Sequence, residues 1–527
     1  MTAQARRLLV VSGNLSLLHG HYRDVIADLA AAGVDVRIRY IKETQLDPAE
    51  FQSVFQAMGV TIDVAQLPRQ VREPPAELGL RLRELGNILR FLHPDYAGRT
   101  VLSDRSLEKV APGARRWGRR LRRLPPSAAA LVARAVAAYE RLLPPARMAE
   151  ELLELEQPDV LAVSPVIRVP GVVDYLKAAA DRGIATAVWV QSWDNLTNKG
   201  LLHFVPDRVF VWNDDQRDEL ERYHGVPADR VSTTGAQTFD HWFTDAAVPD
   251  RAAFCAEVGA DRDRPIILYL ASSKQIAPDE PSFFARWLER VRASEDETLA
   301  NATVLVRPHP TLAQAWHARE FDALPNVFLS PSTLDTKINS DAFRDRYRAE
   351  LRHATVAVGI NTSGFIDAAI FGKPACTVEL PELFHGQRGT IHFQHLARED
   401  RGLLRVDPTF EDHLQTLGAL ARRETYDLDE QSMAFVRAFV RPRGLDIAPR
   451  QIFVEELQEL AERGPMSEPD SSARAQLGRL LVRLTWPLVG AAFEEHPVRS
   501  LEKTGRTAAR RSRRVSRRLL RLASRVR

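Results

Sequence analysis

Short apolar runs alternate with amphipathic stretches along most of this chain, and this alternation predicts strands separated by helices. The first unit begins with an apolar run at residues 8–12 and continues, after a short polar turn, into a helix over residues 21–32. Gly33 is placed to end that helix, and a second strand starts at Val34. A strand, a helix and a second strand in this order predict a parallel sheet.

The same pattern occurs in two series, separated near residue 245. After a helical, arginine-rich middle, the first series continues with strands that start at Asp159, Ala185, Arg208 and Val231. The second series has strands that start at Pro265, Thr303, Asn326, Thr355 and Ala375. We therefore predict an α/β fold of two Rossmann-like, doubly wound domains, with a ligand cleft at the carboxyl ends of the strands.

Composition changes this picture little until the C-terminus. Cys255 and Cys376 lie far apart and have no Cys/His spacing typical of zinc, so we expect no disulfide framework in a reducing compartment. The apolar run near the N-terminus is too short for a signal peptide, and the longest later run is interrupted by Arg483 and Pro487. The sequence predicts a cytoplasmic protein.

The formal net charge of +3 is distributed unevenly, because residues 498–527 contain twelve Lys or Arg and one Glu. This tail carries +11 and the rest of the chain −8. Its apolar residues recur at helical spacing, which predicts a basic amphipathic helix that binds an anionic membrane surface, the inner face of the plasma membrane. A solvated charge run is the alternative. No basic, aromatic surface typical of nucleic-acid binding is recognisable, so nucleic acid is not an expected partner.

The strongest local motif is Arg307-Pro308-His309-Pro310, which follows an apolar strand at the end that opens into the expected cleft. The Arg307 fork and one His309 ring N–H are suited to a diphosphate, and the prolines would stiffen the loop. The alternative is a histidine that caps a turn in a proline-rich loop.

A second motif, Asn361-Thr362-Ser363-Gly364, also follows an apolar strand and begins a helix. Hydroxyls and unpaired backbone N–H groups at a helix N-terminus favour an anion, although an ordinary N-cap has the same letters. Together the two motifs predict two phosphate contacts at neighbouring strand ends.

Further candidates stand at other strand ends of the second domain. Ser272 and Ser273 end its first strand, and Glu379 is placed to accept hydrogen bonds from ribose hydroxyls. Thr390 and His392 lie in a histidine-rich segment that we interpret as a loop closing over the ligand. Its histidine spacing matches no zinc pattern, so no metal site is predicted.

In the first domain, His21 and Asp194 are candidates for the general base that an acceptor hydroxyl needs. Structural roles are the alternatives, since His21 could start a helix and Asp194 could cap a turn.

The segments VLVRPHP and VGINTSGFIDAAIFGKP, followed by a strand ending in Glu379, resemble the C-terminal half of GT-B fold transferases. They are most similar to CDP-glycerol glycerophosphotransferase-like enzymes and bacterial surface or capsular polysaccharide transferases of the cell envelope. The resemblance implies that His309 and Ser363 hold the donor phosphate, that Arg307 assists, and that Glu379 faces the ribose.

The resemblance also implies a metal-independent, cofactor-free transfer of a glycosyl or glycerol-phosphate-like group. The donor would be nucleotide-linked and the acceptor a carbohydrate or a lipid-linked molecule. On this hypothesis residues 1–245 form the acceptor-side domain and residues 246–430 the donor domain, residues 431–462 brace the two, and residues 463–527 form a linker and the basic tail.

Two rival hypotheses remain. Nucleotide-sugar 2-epimerases share the two-domain plan and have a His-Pro loop, but they carry acidic residues directly after the Ser-Gly helix start, where this chain has Phe365 and Ile366 before Asp367. The other rival is a non-catalytic nucleotide- or carbohydrate-binding scaffold.

Overall fold

The computed structural model describes residues 6–41, 46–68, 73–164, 169–330, 341–466 and 473–494. The predicted basic tail, residues 498–527, lies outside these described residues. Among the helices described below, none is both long and apolar enough to cross a bilayer.

Two all-parallel sheets organise the chain. The strands of the first sheet are β1 Arg7–Ser12, β2 Asp35–Tyr40, β3 Asp63–Gln66, β4 Val160–Ser164, β5 Ala185–Trp189, β6 Arg208–Val211 and β7 Val231–Thr233. Those of the second sheet are β8 Ile266–Leu270, β9 Thr303–Arg307, β10 Val327–Leu329, β11 Val356–Gly359, β12 Ala375–Val378 and β13 Leu404–Asp407.

The helices cover both faces of these sheets. In the first half they are α1 Leu15–Ala31, α2 Pro48–Ala57, α3 Pro74–Leu89, α4 Thr100–Glu108, α5 Pro112–Leu121, α6 Pro126–Leu142, α7 Arg147–Glu156, α8 Val173–Asp181, α9 Asn195–Asn198 and α10 Asp214–Glu219. In the second half they are α11 Arg251–Val258, α12 Glu280–Arg292, α13 Glu297–Ala300, α14 Ala313–His317, α15 Asp341–His353, α16 Gly364–Ile370, α17 Phe393–Ala397, α18 Phe410–Ala421, α19 Glu430–Phe435, α20 Pro449–Arg463 and α21 Ala473–Phe493.

The strand orders are β3-β2-β1-β4-β5-β6-β7 and β10-β9-β8-β11-β12-β13. Each order runs outward in one direction and then reverses beside its first strand, which is the doubly wound arrangement predicted from the sequence. Strands β3 and β13, which the apolar pattern does not reveal, lie at sheet edges. An edge strand is covered on fewer sides, so its sequence can stay polar, as DVAQ in β3 does.

Helix α1 begins at Leu15, six residues before the predicted start. The Asn14 side chain accepts a hydrogen bond from the Leu17 backbone N–H at 3.0 Å, so Asn14 is the N-cap. His21 therefore lies inside the helix, and the alternative that it starts a helix is wrong.

After the second sheet, the chain returns to the first one through α20. Phe453 stacks on Phe210 with ring centroids 4.3 Å apart and packs edge-on against Trp189 at 5.2 Å. Burial of these aromatic side chains ties α20 to the first core.

Candidate functional site

Ser272, two residues after the end of β8, is buried and joins three parts of the second domain. Its backbone N–H donates to Glu280 Oε2 at 2.6 Å, and its hydroxyl oxygen accepts from the Asn361 backbone N–H at 3.2 Å. Ser272 has no exposed surface, and its hydrogen bonds hold the strand-end loops together. Ser273 beside it is partly exposed.

Burial raises the pKa of Glu280 to about 8, and hydrogen bonds from Ser272 and Tyr269 oppose the shift. A raised pKa means that the folded protein keeps a proton that the unfolded chain releases, so folding stability falls as the pH rises from 4.5 towards 8. Replacing Glu280 with glutamine should remove this loss. The difference in the free energy of unfolding between Glu280→Gln and the wild type should therefore rise by about 1 kcal/mol per pH unit in that window, in favour of the variant.

Urea unfolding at several pH values measures this difference. The matched control is Glu289→Gln, an exposed glutamate on the same helix, which should show no such trend. A constant difference between Glu280→Gln and the wild type across the window would contradict the prediction.

His309 is held in a defined tautomer by its own loop. Its Nδ1 accepts from the Thr311 backbone N–H at 3.2 Å and lies 2.9 Å from the Thr311 hydroxyl oxygen. That hydroxyl oxygen accepts from the Lys274 backbone N–H. Burial lowers the pKa of His309, so the ring is neutral near pH 7. Because Nδ1 is an acceptor, the ring proton lies on Nε2, and that nitrogen can donate a hydrogen bond.

Arg307 is engaged by α15. Its Nη1 donates to Glu350 Oε2 at 2.7 Å, and its guanidinium lies over the rings of Tyr347 and Phe343 at 3.8 and 4.4 Å. One guanidinium nitrogen, Nη2, is buried without a hydrogen-bond partner among the described residues. Glu350 therefore occupies part of the guanidinium fork that the sequence predicted for a phosphate.

The Asn361–Gly364 turn follows β11. The Thr362 hydroxyl oxygen accepts from the Gly364 backbone N–H at 3.2 Å, which closes the turn. Ser363 is exposed and makes no capping hydrogen bond, so the ordinary N-cap interpretation does not hold. Helix α16 has only seven residues, so a macrodipole adds little, and the side-chain hydroxyl is the main group that this turn offers.

The sequence suggested that the two motifs follow adjacent strands, but they do not. Strand β8 lies between β9 and β11. At the usual spacing of parallel strands, the two strand ends are about 10 Å apart. Ser273 and Lys274 lie in the loop between them.

His392 is buried and bridges the two halves of the molecule. Its Nε2 faces the Asn361 amide Nδ2 at 3.3 Å, its Nδ1 faces the side-chain amide of Asn198, and Trp193 packs edge-on against its ring at 4.7 Å. Burial lowers the pKa of His392 to about 3. His392 joins the loops after β5 and β12. Its ring is almost fully buried, so it offers little surface for the predicted contact with the ligand.

Two other predicted ligand contacts have protein partners. The Thr390 hydroxyl is buried and donates to the Gln387 carbonyl oxygen at 2.8 Å, which closes its own turn. Glu379 accepts from Arg388 Nε through both carboxylate oxygens, at 3.1 and 2.9 Å, and stays about one third exposed. The Thr390 hydroxyl is thus occupied within its own turn, and the Glu379 carboxylate is occupied by Arg388.

The candidates of the first domain lie in separate clusters. Asp194 pairs with Lys199 Nζ at 2.8 Å and accepts from the Asn195 side-chain amide at 3.0 Å. His21 Nδ1 lies 3.2 Å from the Thr238 hydroxyl oxygen, in a narrow basic cleft between α1 and α15. The charged and imidazole side chains that line this cleft are His19, His21, Arg23, Asp24, His241, Arg344 and Arg450.

This basic cleft was not predicted from the sequence, because its members come from distant segments. Burial and then the Arg344 and Arg348 charges lower the pKa of His241 to about 4. Three arginines and one aspartate line the cleft, and Asp28 pairs with Arg450 beside it. The lining therefore carries a net positive charge that favours anions. Among the described residues, no group of three or more His, Cys, Asp or Glu could hold a metal ion.

Two doubly wound, parallel domains joined at their strand-end loops define the GT-B class of fold. The chain is similar to the solved structure of a proposed UDP-N-acetylglucosamine 2-epimerase from Listeria monocytogenes, with a TM-score of 0.50 over 89% of this chain and 100% of that one. Sequence identity is 11%, so the likeness is one of fold.

Two further solved structures give somewhat lower scores. A glycosyltransferase from Rickettsia africae is 8% identical, with a TM-score of 0.48 over 87% of this chain and 98% of that one. The UDP-GlcNAc 2-epimerase of Methanocaldococcus jannaschii is 10% identical, with a TM-score of 0.47 over 86% and 99% of the two chains. No protein-family model and no curated protein matches the sequence.

Proposed function

We propose that this protein is a metal-independent transferase that moves a glycosyl or glycerol-phosphate-like group from a nucleotide-activated donor to a surface-polysaccharide or lipid-linked acceptor. The observation that carries the proposal is the pair of donors that flank the end of β8, His309 Nε2 and the Ser363 hydroxyl. Strand ends about 10 Å apart suit a diphosphate held by one hydrogen bond on each side.

These two donors suit the charge that develops during transfer. As the acceptor oxygen bonds to the activated carbon or phosphorus of the donor, the bond to the nucleotide's phosphate oxygen breaks and that oxygen gains negative charge. Neutral N–H and O–H donors stabilise such charge, and the His309 ring, held by Thr311, needs little reorganisation to do so. The similarity of VLVRPHP and VGINTSG to CDP-glycerol glycerophosphotransferase-like enzymes supports the same assignment.

The acceptor needs a general base, and His21 and Asp194 remain the candidates. His21 lines the basic cleft, so a base at that position would favour an acceptor that carries phosphate or carboxylate groups. Asp194 would first have to give up its ion pair with Lys199. Losses of acceptor-dependent turnover in His21→Gln and Asp194→Asn would identify which residue acts.

A nucleotide-sugar 2-epimerase is the second candidate function, favoured by the names of two of the solved structures. Against it, the first carboxylate after the Ser-Gly turn is Asp367, and its oxygens accept from Trp242 Nε1 at 2.7 Å and the Tyr347 hydroxyl at 3.1 Å. An epimerase would release a free epimer without any acceptor, whereas a transferase needs one.

A thermal-shift screen of the purified protein with CMP, CDP, UDP and GDP tests the donor site. We expect one nucleotide, at about 100 times its dissociation constant, to stabilise the folded state by about 2.7 kcal/mol and raise Tm by a few degrees. Ser363→Ala should weaken this shift. A screen in which no nucleotide changes Tm would refute the proposed function, and binding without turnover would indicate a scaffold.

A further inference from the structure

Helix α21 exposes a row of large apolar side chains. The exposed leucines, with side chains 52 to 67% accessible, are Leu477, Leu480, Leu481, Leu484 and Leu488. Their spacing places them on one face of a helix, because residues three, four and seven apart are neighbours at 3.6 residues per turn. Within the described residues, no other helix exposes so many leucines.

The opposite face of α21 fixes this orientation. Val482 is buried in a small core with Leu78, Leu82 and Leu143. The Thr485 hydroxyl lies 2.9 Å from the Tyr139 hydroxyl, and Trp117 Nε1 donates to the Ala492 carbonyl oxygen at 3.0 Å. Because α21 is anchored on α3, α5 and α6, its leucine row points away from the domain.

The surroundings of the leucine row are strongly basic. Helix α21 contains three arginines and no Asp or Glu, and helix α5 beside it contains four arginines and no Asp or Glu. Arg483, Arg119 and Arg120 are exposed. Two carboxylates border this surface: Asp104 accepts from Arg122 at 2.7 Å, and Glu494 directly follows α21. An apolar row flanked by cations matches the interface of an anionic lipid bilayer, where acyl chains meet negative headgroups.

We propose that α21 and α5 form a membrane-binding surface, in which the leucine row enters the headgroup–acyl boundary of an anionic bilayer and the arginines contact lipid phosphates. The helix would lie in the plane of the interface. The proposal concerns described residues and does not depend on the donor site or on the basic tail. It adds a second apolar and basic surface to a chain whose sequence suggested membrane attachment through residues 498–527.

Vesicle co-sedimentation of the full-length chain tests the surface. Wild-type protein should bind vesicles of phosphatidylcholine with about 30% phosphatidylglycerol, and bind pure phosphatidylcholine weakly. The triple variant Leu481→Gln/Leu484→Gln/Leu488→Gln should lose binding by about tenfold or more. The matched control, Leu155→Gln/Leu324→Gln, removes exposed leucines elsewhere and should bind as the wild type does.

The outcomes are decisive in either direction. Unchanged vesicle binding by a folded triple variant would overturn the proposal. The proposal would also be overturned if the wild type did not bind anionic vesicles but formed a dimer that the triple variant cannot form. The leucine row would then be a contact between two copies of the chain.

A second measurement tests whether the leucine row itself enters the bilayer, whatever the affinity of the protein for vesicles. Both native cysteines are buried, so an environment-sensitive fluorophore can be attached selectively at Leu484→Cys. Its emission should shift to shorter wavelengths with anionic vesicles, while the same label at Leu155→Cys should not respond. No shift at position 484 on vesicle-bound protein would show that another surface makes the contact.

Discussion

Replacing His309 with alanine is expected to lower turnover of the nucleotide-activated donor by about 10²- to 10³-fold. Burial lowers the pKa of the His309 imidazole, whose Nδ1 accepts from the Thr311 backbone N–H. On the proposed function, its Nε2–H donates to the departing phosphate oxygen. Alanine removes that donor without adding charge. Steady-state kinetics with the nucleotide found by the thermal-shift screen would measure the loss in kcat and in kcat/KM separately.

His317→Ala is the matched control, because His317 is exposed on α14, close to His309 in sequence. It should keep both kinetic constants. His309→Gln should recover part of kcat, since an amide can donate a hydrogen bond in place of Nε2–H. Turnover that survives in folded His309→Ala would exclude the proposed role, whatever the effect on nucleotide binding.

Most of the fold was predictable because it depends on local apolar patterns. A buried parallel strand is apolar on both faces, so β1, β4, β8, β9 and β11 stand out as short apolar runs. The order of units then predicts two doubly wound sheets. What the pattern missed is local as well: the N-cap Asn14 starts α1 earlier than the apolar spacing suggested, because a cap depends on one side chain rather than on periodicity.

The candidate site was predictable only in part. Strand ends can be placed from the sequence, and the His309 and Ser363 turns do follow β9 and β11. The partners of the predicted residues come from distant segments, so their contacts could not be anticipated. Glu350 binds one guanidinium nitrogen of Arg307, and Asn198 and Trp193 contact His392.

The same limit explains why the basic cleft was missed. His19 and His241 are far apart in sequence, and each is unremarkable alone. The fold brings them together with Arg344, and the mutual repulsion of cationic groups contributes to the lowered pKa values of both histidines, after burial. Clusters of this kind depend on topology, and a single sequence does not reveal topology at the level of side chains.

Replacing Glu350 with alanine is expected to lower the free energy of unfolding by about 3–5 kcal/mol. Glu350 is fully buried, pairs with Arg307 Nη1 at 2.7 Å and Arg346 Nε at 3.3 Å, and accepts from the Ser330 hydroxyl. Alanine would leave the Arg307 guanidinium largely buried without its counter-charge, which costs more than the ion pair itself contributes. Chemical denaturation at pH 7 measures the change.

The double variant Arg307→Met/Glu350→Met separates a structural role of Arg307 from a ligand-binding role. Because both charges are removed together, its stability should recover most of the loss seen in Glu350→Ala. Glu257→Ala, which removes an exposed partner of Arg346, should change stability by less than about 0.5 kcal/mol. If the folded double variant still binds the nucleotide, Arg307 serves mainly to hold α15. If binding disappears while stability is restored, the remaining Nη2 donor contributes to the donor site as the sequence suggested.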